Sequence, residues 1–208
     1  IYKISKRYFE DIDIIINNAG IGYNCFVTDV DKRITHEVFQ INFFNIVETN
    51  KLFLNPMIKK NKGTIVNISS FGGVRSIPTN SIYCASKFAL EAQTEALRME
   101  LWPFGVTVSS IQPGLFDTDF QINMVQGSNA ESEELPYKYF INRYRRKHKK
   151  WRKVIHDPIR IAKLIERIIE SERPRLRYPI GFEARAGIIG SKLFPERIYQ
   201  WLISRSSM

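Results

Sequence analysis

Residues 63–70 read GTIVNISS, a glycine followed by a short apolar run and two serines. The β-branched residues of this run favour a strand buried on both faces, as in a parallel sheet. A second run of this kind, VTVSSI at residues 106–111, stops before Pro113 and Gly114. Residues 80–102 between them have the alanine-rich, apolar spacing of one long helix. Strand, helix and strand in this order predict two neighbouring parallel strands.

The same alternation extends to both sides of this unit. Upstream, residues 13–17 predict a strand, and residues 31–60 predict a helix with a bend or break at Pro56. Downstream we expect a helix capped by Asp157 with Pro158 at its first position, a strand within residues 175–181, and a last amphipathic helix over residues 188–203. The pattern predicts an α/β fold, a three-layer, doubly wound parallel sheet of the Rossmann-like type.

Composition favours one domain over residues 1–208, with an insertion at about residues 119–153 where the pattern becomes polar and charged. The two cysteines, Cys25 and Cys84, have no metal-ligand spacing and indicate a reducing compartment. The chain has no apolar run of about 20 residues, the length that spans a bilayer. We therefore expect a cytoplasmic protein.

The net charge of +10 is concentrated in residues 143–153, RYRRKHKKWRK, which hold eight of the 31 Lys and Arg. A solvated surface and a peripheral contact with anionic lipid both remain open for this segment. No nucleic-acid partner is expected, because the chain has no recognised nucleic-acid-binding module.

Tyr83 and Lys87 are four residues apart, so a helix places both side chains on one face. A nearby ammonium favours phenolate and would lower the pKa of the tyrosine towards the working pH of a proton-transfer group. Ser70 follows a predicted strand, at the edge of a parallel sheet where ligands bind. Tyr-x-x-x-Lys alone is a weak signal, since an ordinary solvated pair has the same spacing.

Five elements together resemble the short-chain dehydrogenase/reductase family: NNAG at residues 17–20, Asn42, Ser70, YCASK at residues 83–87, and PGLFDT at residues 113–118. The C-terminal part is similar to hydroxysteroid and retinol dehydrogenase members. The resemblance implies an enzyme that interconverts an alcohol with a ketone or aldehyde by hydride transfer.

The resemblance also implies the site residues. Tyr83 would be the general acid/base, Ser70 would hydrogen-bond the substrate oxygen, and Lys87 would lower the pKa of Tyr83 and hold the nicotinamide ribose. Asn42 would anchor a water of the proton relay, although on propensity alone it is a tolerated helix asparagine. The cofactor-binding residues implied are Asn18, Ala19, Gly20, Tyr83, Lys87, Pro113, Gly114 and Thr118.

The implied cofactor is NAD or NADP, with NADP slightly favoured, and no metal site is expected. The three histidines, His36, His148 and His156, are interpreted as surface or capping residues. In the family the insertion folds over the substrate, and its apolar and aromatic residues favour a lipophilic alcohol or ketone. Family members commonly form homo-oligomers through the helices predicted at residues 31–60 and 80–102.

The sequence departs from the family pattern at its start, because no glycine-rich TGxxxGxG turn precedes Asn17. We expect the first strands of the sheet to be missing, which would leave the strand at residues 13–17 with an open apolar edge. Residues 1–208 alone are then expected to bind dinucleotide poorly and to be inactive. The alternative interpretation is an inactive relative that acts as a binding or scaffold protein.

Overall fold

The computed structural model describes residues 8–9, 11–128 and 155–207. The strands in chain order are β1 (Ile14–Asn17), β2 (Tyr23–Asn24), β3 (Gly63–Ile68), β4 (Val106–Pro113), β5 (Val125–Gln126) and β6 (Arg177–Ile180). The helices are α1 (Lys32–Phe39), α2 (Asn45–Lys60), α3 (Ser81–Leu101), α4 (Ile159–Glu170), α5 (Phe182–Leu193) and α6 (Glu196–Ser207), with a π-helical turn (Gln40–Phe44) that joins α1 to α2. The basic run at residues 143–153 lies outside the described residues.

The main sheet is parallel and has the strand order β1-β3-β4-β6. β3 and β4 are buried along nearly their whole length, as expected of central strands whose two faces are both covered. The parallel pairing confirms the predicted α/β fold. It also brings the carboxyl ends of β1, β3 and β4 to one edge of the sheet.

Each face of the sheet has its own apolar core. On one face, side chains of α2 and α3 pack against the strands, with Phe53, Met57 and Leu97 against Ile65 and Val108. On the other, Ile168 of α4 packs against strand residues including Val66 and Ile111. Helices therefore cover both faces, which confirms the three-layer, doubly wound arrangement predicted from the sequence.

β1 lies at one end of the described sheet. Ile15 belongs to the core, whereas Ile14 and Ile16 point to the opposite face and are 41% and 43% exposed. Because successive residues of a strand face opposite ways, only one face of β1 is well covered by the described residues.

Pro56 does not break the helix, contrary to one of the two outcomes predicted. α2 continues to Lys60 and ends at Asn61, which adopts a left-handed conformation. The irregularity lies earlier, in the π turn, where five residues separate the hydrogen-bonded backbone groups instead of four.

The single last helix predicted over residues 188–203 is also wrong. α5 ends at Leu193 and α6 begins at Glu196, so the interruption coincides with Pro195. Proline lacks an N–H group and fixes its φ, which makes it a common residue at the start of a new helix.

Other predicted elements agree with the structure, apart from the cap of α4. The Asp157 carboxylate accepts a hydrogen bond from the Ile159 N–H at 2.8 Å, but α4 begins at Ile159, so that Pro158 and not Asp157 is its cap residue. Cys25 and Cys84 are both free and buried. None of the described helices combines the length and apolar character needed to cross a membrane.

Gly105 ends the turn after α3 with a φ of +63°, and a Cβ atom there would lie 2.5 Å from the Asn61 carbonyl oxygen. We expect Gly105→Ala to lower the free energy of unfolding by about 2 kcal/mol or more, because it combines an unfavourable φ with a clash against backbone. Urea denaturation followed by circular dichroism measures this.

Gly190→Ala is the matched control, since Gly190 is helical and the nearest atoms to an added Cβ are 3.9 Å away. It should leave stability unchanged or raise it by up to about 1 kcal/mol. Equal losses in the two variants would contradict the assigned role of Gly105.

Candidate active site

A cleft of about 1240 Å³ opens at the carboxyl ends of β1, β3 and β4. Nine of the ten site residues predicted from the sequence line it: Asn18, Ala19, Gly20, Ser70, Tyr83, Lys87, Pro113, Gly114 and Thr118. They come from three strand ends and one helix. The fold therefore brings together residues that are up to a hundred positions apart in the chain.

Ser70 and Tyr83 meet on one wall of the cleft. A Cβ atom added to Gly72 would lie 3.3 Å from Tyr83 Cε1 and 3.4 Å from Ser70 Oγ, so the two side chains flank the same glycine. Ser70 Oγ also accepts a hydrogen bond from the Gly72 N–H at 3.0 Å, which orients the serine at the end of β3. The hydroxyl and the phenol can thus face one substrate oxygen.

Burial determines the pKa of Tyr83. The residue is 7% exposed, and loss of solvation raises its pKa to about 12, while a hydrogen bond with Ser70 acts in the opposite direction. Lys87 does not lower the pKa of Tyr83 here, contrary to the prediction from their spacing. Being four residues apart on a helix is not sufficient, because desolvation of the buried phenol raises its pKa and Lys87 does not counter this effect.

The Lys87 amine is directed to the end of β3. It is 3% exposed, and its Nζ donates a hydrogen bond of 2.9 Å to the Ile68 carbonyl oxygen. Burial lowers the pKa of Lys87 to about 8, and the charge of Glu91 acts in the opposite direction. The amine therefore loses its proton much closer to neutral pH than a solvated lysine does.

Asn42 does not line the cleft but lies directly behind it, in the π turn, and is fully buried. Its side chain bonds both backbone groups of Ile21, with the Ile21 N–H donating at 2.8 Å and Asn42 Nδ2 donating to the carbonyl at 2.9 Å. Nδ2 also donates to Ser86 Oγ at 3.0 Å. Asn42 thus connects the loop after β1 to α3, a role that helix propensity does not indicate.

Gly20 leaves room beside the amine. A Cβ atom at this position would lie 3.2 Å from Asn42 Oδ1 and 3.3 Å from Lys87 Nζ, which is tight contact. The short side chains of residues 18–20 keep the backbone accessible next to an amine and a phenol. This arrangement fits the ribose and nicotinamide of a dinucleotide cofactor, for which Lys87 and Tyr83 would supply the hydrogen bonds.

Glu183 is a residue of the cleft that the sequence analysis missed, and His156 lies next to it outside the cleft lining. Glu183, in the first turn of α5, lines the cleft and accepts a hydrogen bond from the Leu115 N–H, next to Gly114. His156 Nε2 lies 3.3 Å from Glu183 Oε2, and His156 Nδ1 lies 2.9 Å from Arg160 Nη1. An acid directly after a predicted strand of the same sheet was the available signal for Glu183.

The histidines agree with their interpretation as surface or capping residues where the structure describes them, and His148 lies outside the described residues. His36 is exposed. The His156 side chain is 17% exposed, lies against the Phe116 ring, and accepts a hydrogen bond from the Phe182 N–H at 3.4 Å, which caps the start of α5. Its backbone pairs with that of Phe116, which holds the segment before α4 against the core. Over the described ranges no group of His, Cys, Asp or Glu is arranged to hold a metal ion.

The described part of the insertion, residues 119–128, lies over the cleft. β5 pairs with β2 in a second, two-stranded parallel sheet, and the Phe120 ring lies 5.6 Å from the Tyr83 ring between centroids. Met124 and Phe120 also contact the position that a Cβ on Gly22 would occupy. Phe120 and Met124 therefore present apolar side chains to this side of the cleft, beside the polar Asp119, Gln121, Asn123 and Gln126.

A family model described as short chain dehydrogenase matches residues 1–129. Among curated relatives, an uncharacterized oxidoreductase of Bacillus subtilis, YusZ, is 30% identical over 95% of this chain and 71% of its own length. A 3-ketodihydrosphingosine reductase of Bacteroides thetaiotaomicron is 34% identical over 82% of this chain and 63% of its own length. Retinol dehydrogenase 8 of Bos taurus is 33% identical over 80% of this chain and 55% of its own length.

Solved structures share the fold. A short-chain dehydrogenase from Streptomyces avermitilis superposes with a TM-score of 0.81 at 25% identity, over 100% of this chain and 75% of that one. An alcohol dehydrogenase from Thermococcus sibiricus complexed with 5-hydroxy-NADP gives a TM-score of 0.66 at 21% identity, over 86% of this chain and 66% of that one. A 4-hydroxyisoleucine dehydrogenase complexed with NADH gives a TM-score of 0.64 at 22% identity, over 86% of this chain and 71% of that one.

The depressed pKa of Lys87 predicts a pH dependence of stability. The unfolded chain holds this proton up to the ordinary lysine pKa of 10.5, whereas the folded chain releases it at about 8. Because the unfolded state binds more protons in this window, stability should rise between pH 8 and pH 10 by about 2 kcal/mol relative to a protein without the amine.

Urea denaturation of the wild type and of Lys87→Met at several pH values measures this difference. The window stops at pH 10 because the raised pKa of Tyr83 has the opposite effect above it. Parallel pH profiles for the two proteins would show that Lys87 titrates normally in the folded state.

Proposed function

The chain belongs to the short-chain dehydrogenase family, and from that membership we propose that it is a nicotinamide-dependent oxidoreductase that interconverts an alcohol and a carbonyl on a lipophilic substrate. The supporting observation is the convergence of Ser70, Tyr83 and Lys87 in one cleft, with buried phenol and amine groups beside an apolar wall. The proposed site is the set of ten residues assigned in the sequence analysis.

Tyr83 is proposed as the general acid/base. In the reducing direction its hydroxyl gives a proton to the substrate carbonyl oxygen, and in the oxidising direction it takes the proton from the alcohol. Ser70 is close enough to hydrogen-bond the same oxygen and stabilises the negative charge that develops there. When bound, the cofactor supplies or accepts the hydride.

Lys87 and Asn42 are proposed to support this proton transfer. The Lys87 amine lies beside Gly20, where it can hold ribose hydroxyls. Asn42 fixes the backbone of Ile21 and the hydroxyl of Ser86, and Ser86 Oγ in turn donates to the Tyr83 carbonyl at 2.7 Å. The asparagine thus holds the cofactor-side loop and the start of α3 in a constant relative position, and we propose that it also anchors a relay water.

Either NAD or NADP is compatible with the proposed site, and NADP is slightly favoured. The related folds include one complexed with 5-hydroxy-NADP and one with NADH. Binding assays with both reduced cofactors would decide between them.

The apolar side of the cleft supports a lipophilic substrate. Phe116, Phe120, Met124 and Ile161 line it together with Ile77. Two relatives carry the names of enzymes for long apolar molecules, 3-ketodihydrosphingosine and retinol. We propose that the insertion at about residues 119–153 forms the substrate lid, of which residues 119–128 already lie over the cleft.

A homo-oligomer is proposed as the working form. α3 and the turn after it expose Phe88, Met99 and Trp102, and the chain before and within α2 exposes Phe44 and Leu52. Apolar side chains on both helices named in the sequence analysis support pairing with a second copy. The proposed cytoplasmic location and the lipid contact of residues 143–153 rest on the sequence alone.

Tyr83→Phe is the direct test of the proton-transfer role. Turnover of NADPH or NADH with a long-chain ketone should fall by about 10³-fold, the usual size of a general acid/base contribution. The dissociation constant of the cofactor should change by less than about fivefold, because only one hydrogen bond is lost. Stopped-flow absorbance and fluorescence titration give the two quantities.

A Tyr83→Phe protein that keeps its turnover would refute the proposal. If a wild-type protein that binds either cofactor turns over no carbonyl compound, the binding or scaffold interpretation is favoured instead.

Phe120→Ala tests the substrate class. The variant should lower kcat/KM for a long-chain ketone by about tenfold, because an aromatic contact next to Tyr83 is lost, and should change that for a short-chain ketone by less than about twofold. Phe182→Ala is the matched control, since Phe182 is exposed and does not line the cleft. Equal losses for both ketones in Phe120→Ala would indicate a general disturbance of the site instead.

A further inference from the structure

Glu91 is a buried acid to which neither the sequence analysis nor the proposed mechanism assigns a role. It is 5% exposed and lies on α3, four residues after Lys87 and eight after Tyr83. Residues at these spacings share one face of a helix. The carboxylate therefore continues the row of ionisable groups that begins with the phenol and the amine.

The hydrogen bonds of Glu91 are unevenly distributed between its two oxygens. Oε2 accepts from Ser110 Oγ at 3.2 Å, from Gln112 Nε2 at 3.0 Å and from Arg177 Nε at 2.9 Å. Oε1 is buried and has no hydrogen-bond partner among the described residues. Burial of a carboxylate with one oxygen unsatisfied is unfavourable, so packing alone does not explain an acid at this position.

Arg177 does not fully compensate the charge of Glu91. Its guanidinium is shared with a second acid, since Nη2 also donates to Glu95 Oε2 at 2.6 Å. Because Arg177 pairs with both carboxylates, it neutralises only part of the charge of Glu91, which lies on the buried face of α3. This charge lies within one helical turn of the Lys87 position.

Among the residues that the structure describes, few other charges face Lys87. Tyr83 lies on the same helix, while β3 and the π turn present the neutral Ile68 carbonyl and Asn42 Oδ1. Of the charged groups in the described chain, Glu91 is the one whose field raises the pKa of Lys87 against the effect of burial.

Glu91 also connects the helix to the loop below the cleft. Gln112 directly precedes Pro113 and Gly114, both of which line the cleft, and Ser110 lies on the same strand. Arg177 belongs to β6, the neighbour of β4. One carboxylate oxygen therefore joins α3, β4 and β6 at the end of the sheet where the site lies.

We propose that Glu91 is a positioning residue of the active site, which keeps Lys87 in its ammonium form at neutral pH and holds the end of β4 against α3. The proposal deepens the proposed function and rests on it for the role of Lys87. Glu91 acts through Lys87 and Gln112 and does not itself contact a reacting atom.

Glu91→Gln removes the charge and keeps the shape of the side chain. Nitrogen-15 NMR of the lysine ammonium groups, with Lys87 assigned from its absence in Lys87→Met, follows the protonation of Lys87 in the cofactor-free chain. We expect the Lys87 titration midpoint to fall by about one pH unit in Glu91→Gln. The alkaline limb of the kcat profile should move to lower pH by the same amount.

Glu95→Gln is the matched control, because it removes the same charge and the other half of the Arg177 pairing from an exposed position one turn away. It should shift the Lys87 midpoint by less than about 0.3 pH units. Glu91→Asp, which retains the charge, should restore most of the wild-type midpoint. An unchanged midpoint in Glu91→Gln, or equal shifts in Glu91→Gln and Glu95→Gln, would overturn the proposal.

If Glu91→Gln fails to fold, carbon-13 NMR of the side-chain carboxyl groups in the wild-type chain gives the decisive measurement. The Glu91 signal should show an inflection at the midpoint of Lys87, because the two groups interact; a signal without that inflection would contradict the proposal. All these titrations use cofactor-free protein. Absence of turnover in every variant therefore leaves this test intact.

Discussion

Parallel pairing of β1, β3 and β4 is the constraint on which the site depends. Because all three strands run the same way, their carboxyl ends lie side by side, and each delivers a different group to the cleft. β1 leads into the short side chains of residues 18–20, β3 into Ser70, and β4 into Pro113 and Gly114. α3, which returns the chain from β3 to β4, adds the phenol and the amine on the face that packs against the strands.

Burial and charge oppose each other within that cleft. Desolvation raises the pKa of Tyr83 and lowers that of Lys87, so that both groups are neutral over a wider pH range than in water. Local contacts counter this tendency: Ser70 acts on the phenol, and Glu91 acts on the amine. A buried acid one turn along α3 is therefore part of the electrostatics of the site and not a separate surface ion pair.

Local patterns in the sequence predicted the strands of the main sheet and the long helix α3, whereas the residues that line the cleft were implied by the family resemblance. Their signals are short-range: β-branched runs bounded by glycine or proline, and one motif at helical spacing. What the sequence did not predict depends on contacts between distant segments. The π turn at Asn42, the contact of Glu183 with Leu115 and the burial of His156 all arise from packing across the sheet. The opposite pKa shift of Tyr83 has the same origin, since desolvation reflects the whole surrounding fold.

One pair of asparagines at the end of the sheet controls its alignment. Asn17 and Asn67 are register partners on β1 and β3, and Asn17 Nδ2 donates to Asn67 Oδ1 at 2.7 Å and to Asn50 Oδ1 at 3.0 Å. Asn67 Nδ2 donates in turn to Thr94 Oγ1 at 2.8 Å. A register shift of one residue between these strands would place the two amides on opposite faces of the sheet. They would then be buried without their present hydrogen bonds, which is unfavourable. These hydrogen bonds therefore favour the observed register of β1 and β3 over shifted ones. The register in turn determines where residues 18–20 lie relative to Ser70.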